Sequence, residues 1–547
     1  MNSTSGLVRD RAQERLIIGM TSALTLVLWV FQSLHWGSIL DGDSSIFSLM
    51  STEVLKGHHF LYTAGQAHGG TPLIYVRALL FKLFGISHFA GFFINGIMVA
   101  ASGALWAGFA FRLAGPLAAL SVGLLVAVAT KVFAQISLTD YYVLSLLTGG
   151  LMLNAAAMLA KRSELSAKAA FWLGGLTGFS FYICRFTPLY ALLATAFYFA
   201  LSPTTRLAVM LPTPRELYRT RGVKGIASKA LLLAIAVNTL LIFPAFFTSD
   251  AFLGVNAEAA LKLTVKLALA LWLLHRWPLL IMSIRPLLFI AGAALGMLPH
   301  FAFQYVHPEH VDRTTGLVRW NDFAPLISDI PFNIGANFTR TAPFTYGLAG
   351  AVAAALLLAL GFTGLDSNRK RWLKIGLAAG LLPPLASWVL IHTYMYFKVQ
   401  YFYPAYLPLY LCLGFAVASS RWKAPALACL SVILLAGSVD LYSNFTAPNY
   451  RTTSGILELM QEWGVDKGSG EYDSSYETMW TYETAVTFEP LHNGRFPKLL
   501  EQIDSASRIA WVHHEGDLIP REKLAYTVLR TSKLNNGYTI ELLSKTK

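Results

Sequence analysis

Charge is scarce in this chain of 547 residues. Asp, Glu, Lys and Arg make up only 13% of it, about half the share in a soluble globular domain. The shortage falls hardest on the acids, with 30 Asp and Glu against 43 Lys and Arg. So few charges cannot cover the surface of a water-soluble protein of this length. Cysteine is nearly absent: Cys184, Cys412 and Cys429 all lie in or at the ends of apolar stretches, so no disulfide framework is implied. No Gly-rich loop follows a strand-like run, which removes the usual nucleotide-phosphate cradle. No internal repeat or low-complexity tract suggests a solenoid or a disordered arm. Apolar residues fill the space instead, at 55% of the chain with a mean hydropathy of +0.51.

Runs of about 20 apolar residues can cross the hydrocarbon core of a bilayer. They recur at 16–36, 88–111, 115–133, 141–160, 169–183, 186–201, 230–247, 259–280, 286–306, 343–362, 375–392, 404–419 and 424–441, roughly thirteen by that length rule. The first has no small-residue cleavage site behind it and reads as an anchor rather than a removed signal peptide.

The formal net charge of +13 is not a nucleic-acid footprint, because the basic residues sit in short clusters between apolar runs. Arg9, Arg11 and Arg15 precede the first span; Arg112, the Lys161 and Arg162 pair and the Arg206 to Lys229 cluster follow at alternate loops. Arg276 with Arg285, then Arg369, Lys370, Arg371 and Lys374, then Arg421 with Lys423 continue the series. All fall on one side, which the positive-inside rule makes cytoplasmic. The expected topology is therefore N-terminus in and C-terminus out, in a plasma (inner) membrane.

The opposite side collects the polar segments 37–87, 307–342, 393–403 and the tail from about 443. The expected fold is an all-α polytopic membrane protein, residues 1–442, followed by a small extracytoplasmic α/β domain, residues 443–547. In that tail, helical patterns lie near 453–463 and 497–505, and strand-like runs at 509–513 and 526–529.

The first outer loop carries the most information. After Asp41 and Asp43, the apolar residues Ile46, Leu49, Met50, Val54 and Leu55 recur near helical spacing, with Ser48, Ser51, Thr52, Glu53 and Lys56 between them. That is the pattern of a helix lying in the membrane interface, stopped by Gly57. A second helix, opened by Pro72 and closed by Gly85, follows over Thr71-Pro-Leu-Ile-Tyr-Val-Arg-Ala-Leu-Leu-Phe-Lys-Leu-Phe-Gly85.

This succession of an acidic residue, amphipathic helix, glycine, short extended piece and Pro-Leu-Ile-Tyr helix resembles the first outer loop of C-type glycosyltransferases. It is most similar to bacterial enzymes using polyprenyl-phosphate sugars, akin to protein O-mannosyltransferases and lipid A aminoarabinose transferases. In that family the catalytic Asp stands about fourteen residues before the glycine, which selects Asp43 ahead of Gly57. The family's usual adjacent Glu is replaced by Ser44, leaving Asp41 as the candidate second carboxylate. Further down, Gln135-Ile-Ser-Leu-Thr-Asp140-Tyr-Tyr resembles the second outer loop with its Asp before the fourth span. Gly178-Phe-Ser-Phe-Tyr-Ile-Cys-Arg185-Phe-Thr-Pro resembles the place of a donor-phosphate lysine, and Lys398-Val-Gln-Tyr401-Phe-Tyr-Pro404 a late basic Tyr-x-x-Pro motif.

The resemblance implies an inverting glycosyltransferase. Asp43 would be the general base, with Asp41 beside it, and Asp140, Arg185, Lys398 and Tyr401 would bind substrate. The implied partners are a polyprenyl-phosphate sugar donor, membrane lipid and an extracytoplasmic acceptor, with no nucleic acid. No cofactor is required by such a reaction, although Asp41-x-Asp43 also has the oxygen ligands for a divalent cation.

Each residue has a plainer reading. Asp41, Asp43 and Asp140 are all favoured at helix starts as caps, and Arg185 and Lys398 suit interfacial anchors that snorkel to headgroups. Trp36, Tyr401, Tyr403 and Tyr406 fit an aromatic belt. His58 and His59, or His300, His307 and His310, are more simply solvated polar groups than metal ligands. A transporter or flippase for lipid-linked sugars is the alternative function. Such proteins place ionisable residues at mid-membrane, where the apolar runs here offer mainly Lys262 and Lys266. A non-catalytic assembly subunit with the tail as its binding module is a third reading.

Overall fold

A computed structural model describes residues 3–35, 42–64, 69–129, 133, 136–137, 139–160, 166–184, 187, 190–191, 193–194, 222–247, 263–264, 267, 271, 284–306, 344–364, 403–446, 455–470, 475, 486–488, 497–514, 526–534 and 538–545. The membrane part is built from α1 (Ser3–His35), α2 (Gly42–Leu55), α3 (Pro72–Phe84), α4 (His88–Ala114), α5 (Pro116–Val128), α6 (Asp140–Ala160), α7 (Ala167–Ile183) and α8 (Gly222–Phe247). It continues through α9 (Ile284–Gly296), α10 (Leu298–Val306), α11 (Phe344–Gly364), α12 (Tyr403–Ser419) and α13 (Lys423–Thr446).

Among the described residues, three helices are long and apolar enough to cross a membrane: Arg11–Gln32, Phe89–Ala114 and Asp140–Leu159. These coincide with the first, second and fourth runs read from the sequence. Shorter apolar helices include Pro116–Val128, Gly225–Val237, Val352–Thr363, Tyr406–Ser419 and Lys423–Val439. The runs at 186–201, 259–280 and 375–392 lie wholly or mostly outside the described residues. The run at 286–306 is not one continuous helix: it divides into α9 and α10 around Met297, because Pro299 has no N–H to give to the carbonyl one turn back.

The helices close on one another through small residues, as expected where lipid supplies no hydrophobic drive for association. The indole of Trp29 on α1 stacks on Phe92 of α4 at 4.9 Å, its Nε1 donates to Phe92 O at 3.1 Å, and it lies over Gly96, leaving no room for a side chain. Thr21 sits in the same way over Gly123 of α5. Trp106 of α4 donates to Leu146 O of α6 at 3.1 Å.

At one end of this unit, Arg112 of α4 donates to Glu14 Oε1 of α1 at 3.2 Å and to Asn154 Oδ1 of α6 at 2.7 Å. Asn154 Nδ2 in turn donates to Leu105 O and Gly150 O, both at 2.8 Å. This polar tie lies at the end that the charge pattern predicts to be cytoplasmic, and it joins α1, α4 and α6 there by more than packing.

The tail forms α14 (Ile456–Trp463), α15 (Pro497–Asp504) and strands β1 (Lys467–Gly470), β2 (Thr487–Phe488), β3 (Arg508–His514), β4 (Tyr526–Lys533) and β5 (Tyr538–Lys545). The sheet order is β2-β1-β3-β5-β4, parallel at β1/β2 and β1/β3 and antiparallel at β3/β5 and β4/β5. Alternation along β3 divides the core. Ala510 and Val512 join Ile540, Leu542 and the buried face of α14, namely Ile456, Met460 and Trp463. Ile509 and Trp511 join Leu543 and Ile503 of α15 on the other face. Both sequence-read helices and both strand runs are present here, while β1, β2 and β5 come in addition.

The expected orientation gives a direct prediction. Ser507 before β3 and Arg421 between α12 and α13 are both exposed, while Cys184 and Cys412 are buried. In a Cys429→Ser background, a membrane-impermeant maleimide added to intact cells should label Ser507→Cys, and should label Arg421→Cys only after permeabilisation. The reverse pattern would invert the topology.

Candidate active site

Asp43 lies in the first turn of α2, half-buried, where a carboxylate favours the positive end of the helix. The rest of α2 differs from the expected interfacial helix with one apolar face. Residues Ser44 to Thr52 are all buried, serines included. Two of these hydroxyls bond within their own helix: Ser51 Oγ donates to Phe47 O at 2.7 Å and Thr52 Oγ1 to Leu49 O at 2.7 Å. The Ser45 hydroxyl is buried with no hydrogen-bond partner among the described residues. Small side chains let α3 and α4 close over α2, with Ser48 and Phe81 meeting at Gly91.

The helix ends as the sequence suggests. Gly57 takes φ +92°, and Glu53 gathers Lys56 Nζ at 2.6 Å and His58 Nδ1 at 2.7 Å. Partial burial raises the Glu53 carboxyl, but those two partners outweigh it and hold it below its ordinary value.

The interfacial character belongs to α3. Tyr75, Val76, Leu79, Leu83 and Phe84 form an exposed apolar stripe, while Leu73, Ile74, Arg77, Ala78 and Phe81 are buried on the other side. An apolar stripe of this size facing outward fits the boundary of the hydrocarbon layer.

Between α2 and α3 the chain forms a small hairpin stitched to the end of α7. Tyr62 bridges Gly70, and Gly69 bridges Cys184. Gly70 N donates to Ile183 O at 3.0 Å, Tyr182 Oη to Leu61 O at 2.6 Å, and Thr71 Oγ1 to Phe60 O at 2.8 Å. Tyr62 Oη and His300 Nδ1 of α10 share a hydrogen bond of 2.6 Å, and Phe303 packs on the same ring at 4.6 Å. The segment between α2 and α3 therefore meets both the C-terminal end of α7 and the first two turns of α10.

Gly69 is required by close approach: a Cβ there would lie 2.2 Å from the Tyr141 ring. Gly69→Ala should destabilise the protein by about 1 to 3 kcal/mol, the usual range for overpacking, and lower turnover with it. A wild-type thermal midpoint for this variant would show that the hairpin does not sit against Tyr141.

Asp140 begins α6 and is held inside the protein. Its Oδ1 accepts from Arg77 Nη2 at 2.6 Å and its Oδ2 from Arg77 Nη1 at 2.9 Å; the two side chains are 2% and 1% exposed. Arg77 Nε also donates to Gly91 O at 3.2 Å and Nη2 to Asn95 Oδ1 at 3.4 Å. Asp140, expected from the resemblance to contact substrate, gives both carboxylate oxygens to a buried guanidinium. Reading the sequence missed Arg77, although its place among the Leu73, Ile74, Ala78 and Phe81 positions of α3 puts it on the buried face.

Of the other expected site residues, Asp41, Arg185, Lys398 and Tyr401 lie outside the described residues, as do Lys262, Lys266, His307 and His310. Cys184 and Thr187, on either side of Arg185, are described and buried. The cation reading of Asp41-x-Asp43 rests on Asp41, which lies outside the described residues. Among the described residues no group of three or more His, Cys, Asp or Glu is placed to hold a metal.

Composition, helices and sheet together define a mostly helical, polytopic membrane protein with a small mixed sheet. No protein-family model matches the chain, and no curated protein matches it. Among solved structures it is similar to ArnT from Cupriavidus metallidurans in the apo state, at 12% identity over 99% of this chain and 98% of that one, with a TM-score of 0.35. ArnT bound to undecaprenyl phosphate gives 14% identity over 96% and 98%, also at 0.35. The Archaeoglobus fulgidus oligosaccharyltransferase in complex with Zn and sulfate gives 11% identity over 96% of this chain and 72% of that one, at 0.45. Likenesses at this level assign no residue roles here.

Proposed function

We propose that the protein is an inverting glycosyltransferase of the C type, which moves a sugar from a polyprenyl-phosphate carrier to an extracytoplasmic acceptor. The observation that carries this reading is Asp43, half-buried at the mouth of a helix whose length to Gly57 matches the family spacing. The hairpin that follows is joined directly to the residue preceding Arg185.

In the proposed step, the acceptor hydroxyl gives its proton to the Asp43 carboxylate as its oxygen bonds to the anomeric carbon. The bond from that carbon to the phosphate oxygen breaks, and the electron pair leaves with the lipid phosphate. A phosphate of low pKa needs no strong general acid. It does need cations where charge develops, and Arg185 and Lys398 are the residues assigned to that task, with Tyr401 alongside. A single displacement inverts the anomeric centre.

The test is turnover by purified protein with a panel of polyprenyl-phosphate sugars, with and without a chelator. Inverted product from one donor supports the reading. Loss on chelation would assign a cation to the Asp41 and Asp43 pair, and no transfer from any donor, with the lipid-linked sugar moved intact across vesicles, would favour a flippase.

A further inference from the structure

We propose that Arg77 and Asp140 act as a positioning pair, fixing the helix that carries Asp43 against the end of α7. This rests on the reading of Asp43 and Arg185 given above. An ion pair with both members almost wholly out of water is a poor way to gain stability, since well-packed apolar residues of similar volume often do as well or better. What the pair supplies instead is register. A guanidinium is a rigid planar fork with donors in fixed directions, and here those directions reach two elements at once. Two donor contacts go to α4, at Gly91 O and Asn95 Oδ1, and two to α6, at the Asp140 oxygens. Asn95 Nδ2 extends the tie to Ser137 O at 2.6 Å.

The next residues of α6 carry that register to the candidate site. Tyr141 meets Phe47 of α2 edge-on at 6.0 Å and closes over Gly69 of the hairpin. One turn further, Ser145 Oγ shares a hydrogen bond of 2.6 Å with Thr187 Oγ1, two residues beyond Arg185. Within six residues α6 thus touches α3, α2, the hairpin and the chain around Arg185. Asp140 thereby fixes α2 and the hairpin against the end of α7 without touching substrate.

Arg77→Lys and Asp140→Asn in the full-length protein test this. Lysine keeps the charge but replaces the fork with a single ammonium. Both variants should fold, and each should lose about 10²-fold in kcat, the loss typical of a displacement near 1 Å. KM for the donor should stay within about threefold, because binding itself is untouched. The double variant should be no slower than either single one. Amide exchange over 42–57 and 60–63 should rise in both, while that of α5 and α13 stays fixed.

A higher donor KM at unchanged kcat in Asp140→Asn would make Asp140 a substrate contact and overturn the proposal. So would wild-type turnover per folded molecule, with only a lower thermal midpoint, which marks a purely structural pair. The exchange measurement separates this inference from the reading beneath it. Were Asp43→Asn fully active, faster exchange over 42–57 would still show that the pair positions α2, and unchanged exchange would still refute it.

Discussion

Asp43→Asn is expected to lower kcat by about 10² to 10⁴-fold, the usual contribution of a general base, in a protein that folds normally. Asparagine has nearly the shape of aspartate and is as well accepted at the start of a helix, so α2 should keep its place. The lost helix-dipole term is worth only about 0.3 to 1 kcal/mol. These magnitudes separate the catalytic reading from the capping one. A cap predicts a small fall in stability and an unchanged rate, whereas a base predicts the opposite. Donor KM should change little, since the carboxylate works on the acceptor proton and not on the lipid phosphate. The measurement is turnover with the active donor at saturating acceptor, beside the thermal midpoint of each protein. A rate within a few-fold of wild type would remove Asp43 from the mechanism, and Asp41→Asn in parallel would show whether its neighbour carries the role instead.

Much of the outer loop was legible because its signals are local. Pro72, Gly57 and Gly85 set where α2 and α3 begin or end, and those limits need no tertiary contact. The burial of α2 was not legible, because Ser48, Ser51 and Thr52 read as a polar face by composition. Ser51 and Thr52 are inside because each hydroxyl turns to its own helix, and Ser48 because Gly91 lets α4 approach. The partner of Asp140 was equally hidden: Arg77 lies 63 residues away, and pairing across that interval depends on how α3 folds back against α4. A signal was present, since an arginine at a buried helical position almost always has a carboxylate partner. In the tail, α14, α15, β3 and β4 follow their own periodicity. The strand β1, Lys-Gly-Ser-Gly, has none to follow and is a strand because β2 and β3 flank it.

The seam between α7 and α9 should be the most sensitive packing site among the described residues. A Cβ on Gly174 or Gly178 would lie 2.0 Å from Phe289 O or Ala293 O, and one on Gly292 or Gly296 would lie 2.0 or 2.2 Å from Phe171 O or Gly175 O. Both helices thus carry glycines four apart, the spacing that brings transmembrane backbones together, and the matching order of partners makes the two helices parallel. That direction explains why Cys184 at the end of α7 and His300 just beyond α9 both reach the same hairpin.

At such a seam the obstructing atoms are backbone on both sides, so no side chain can turn aside and the helices must move apart. Gly178→Ala should therefore cost about 3 kcal/mol, the upper part of the overpacking range, and Gly178→Leu should leave no folded protein to purify. Gly19→Ala is the control: nothing lies within 4 Å of its Cβ position, and replacing a helical glycine there should be neutral or stabilise by about 0.5 to 1 kcal/mol. Thermal unfolding in detergent reads all three. Because α7 and α10 both hold the hairpin, Gly178→Ala should also lose turnover per folded molecule. A wild-type midpoint for Gly178→Ala would mean that the two backbones are not apposed, and the route from α9 through His300 to Tyr62 would lose its foundation.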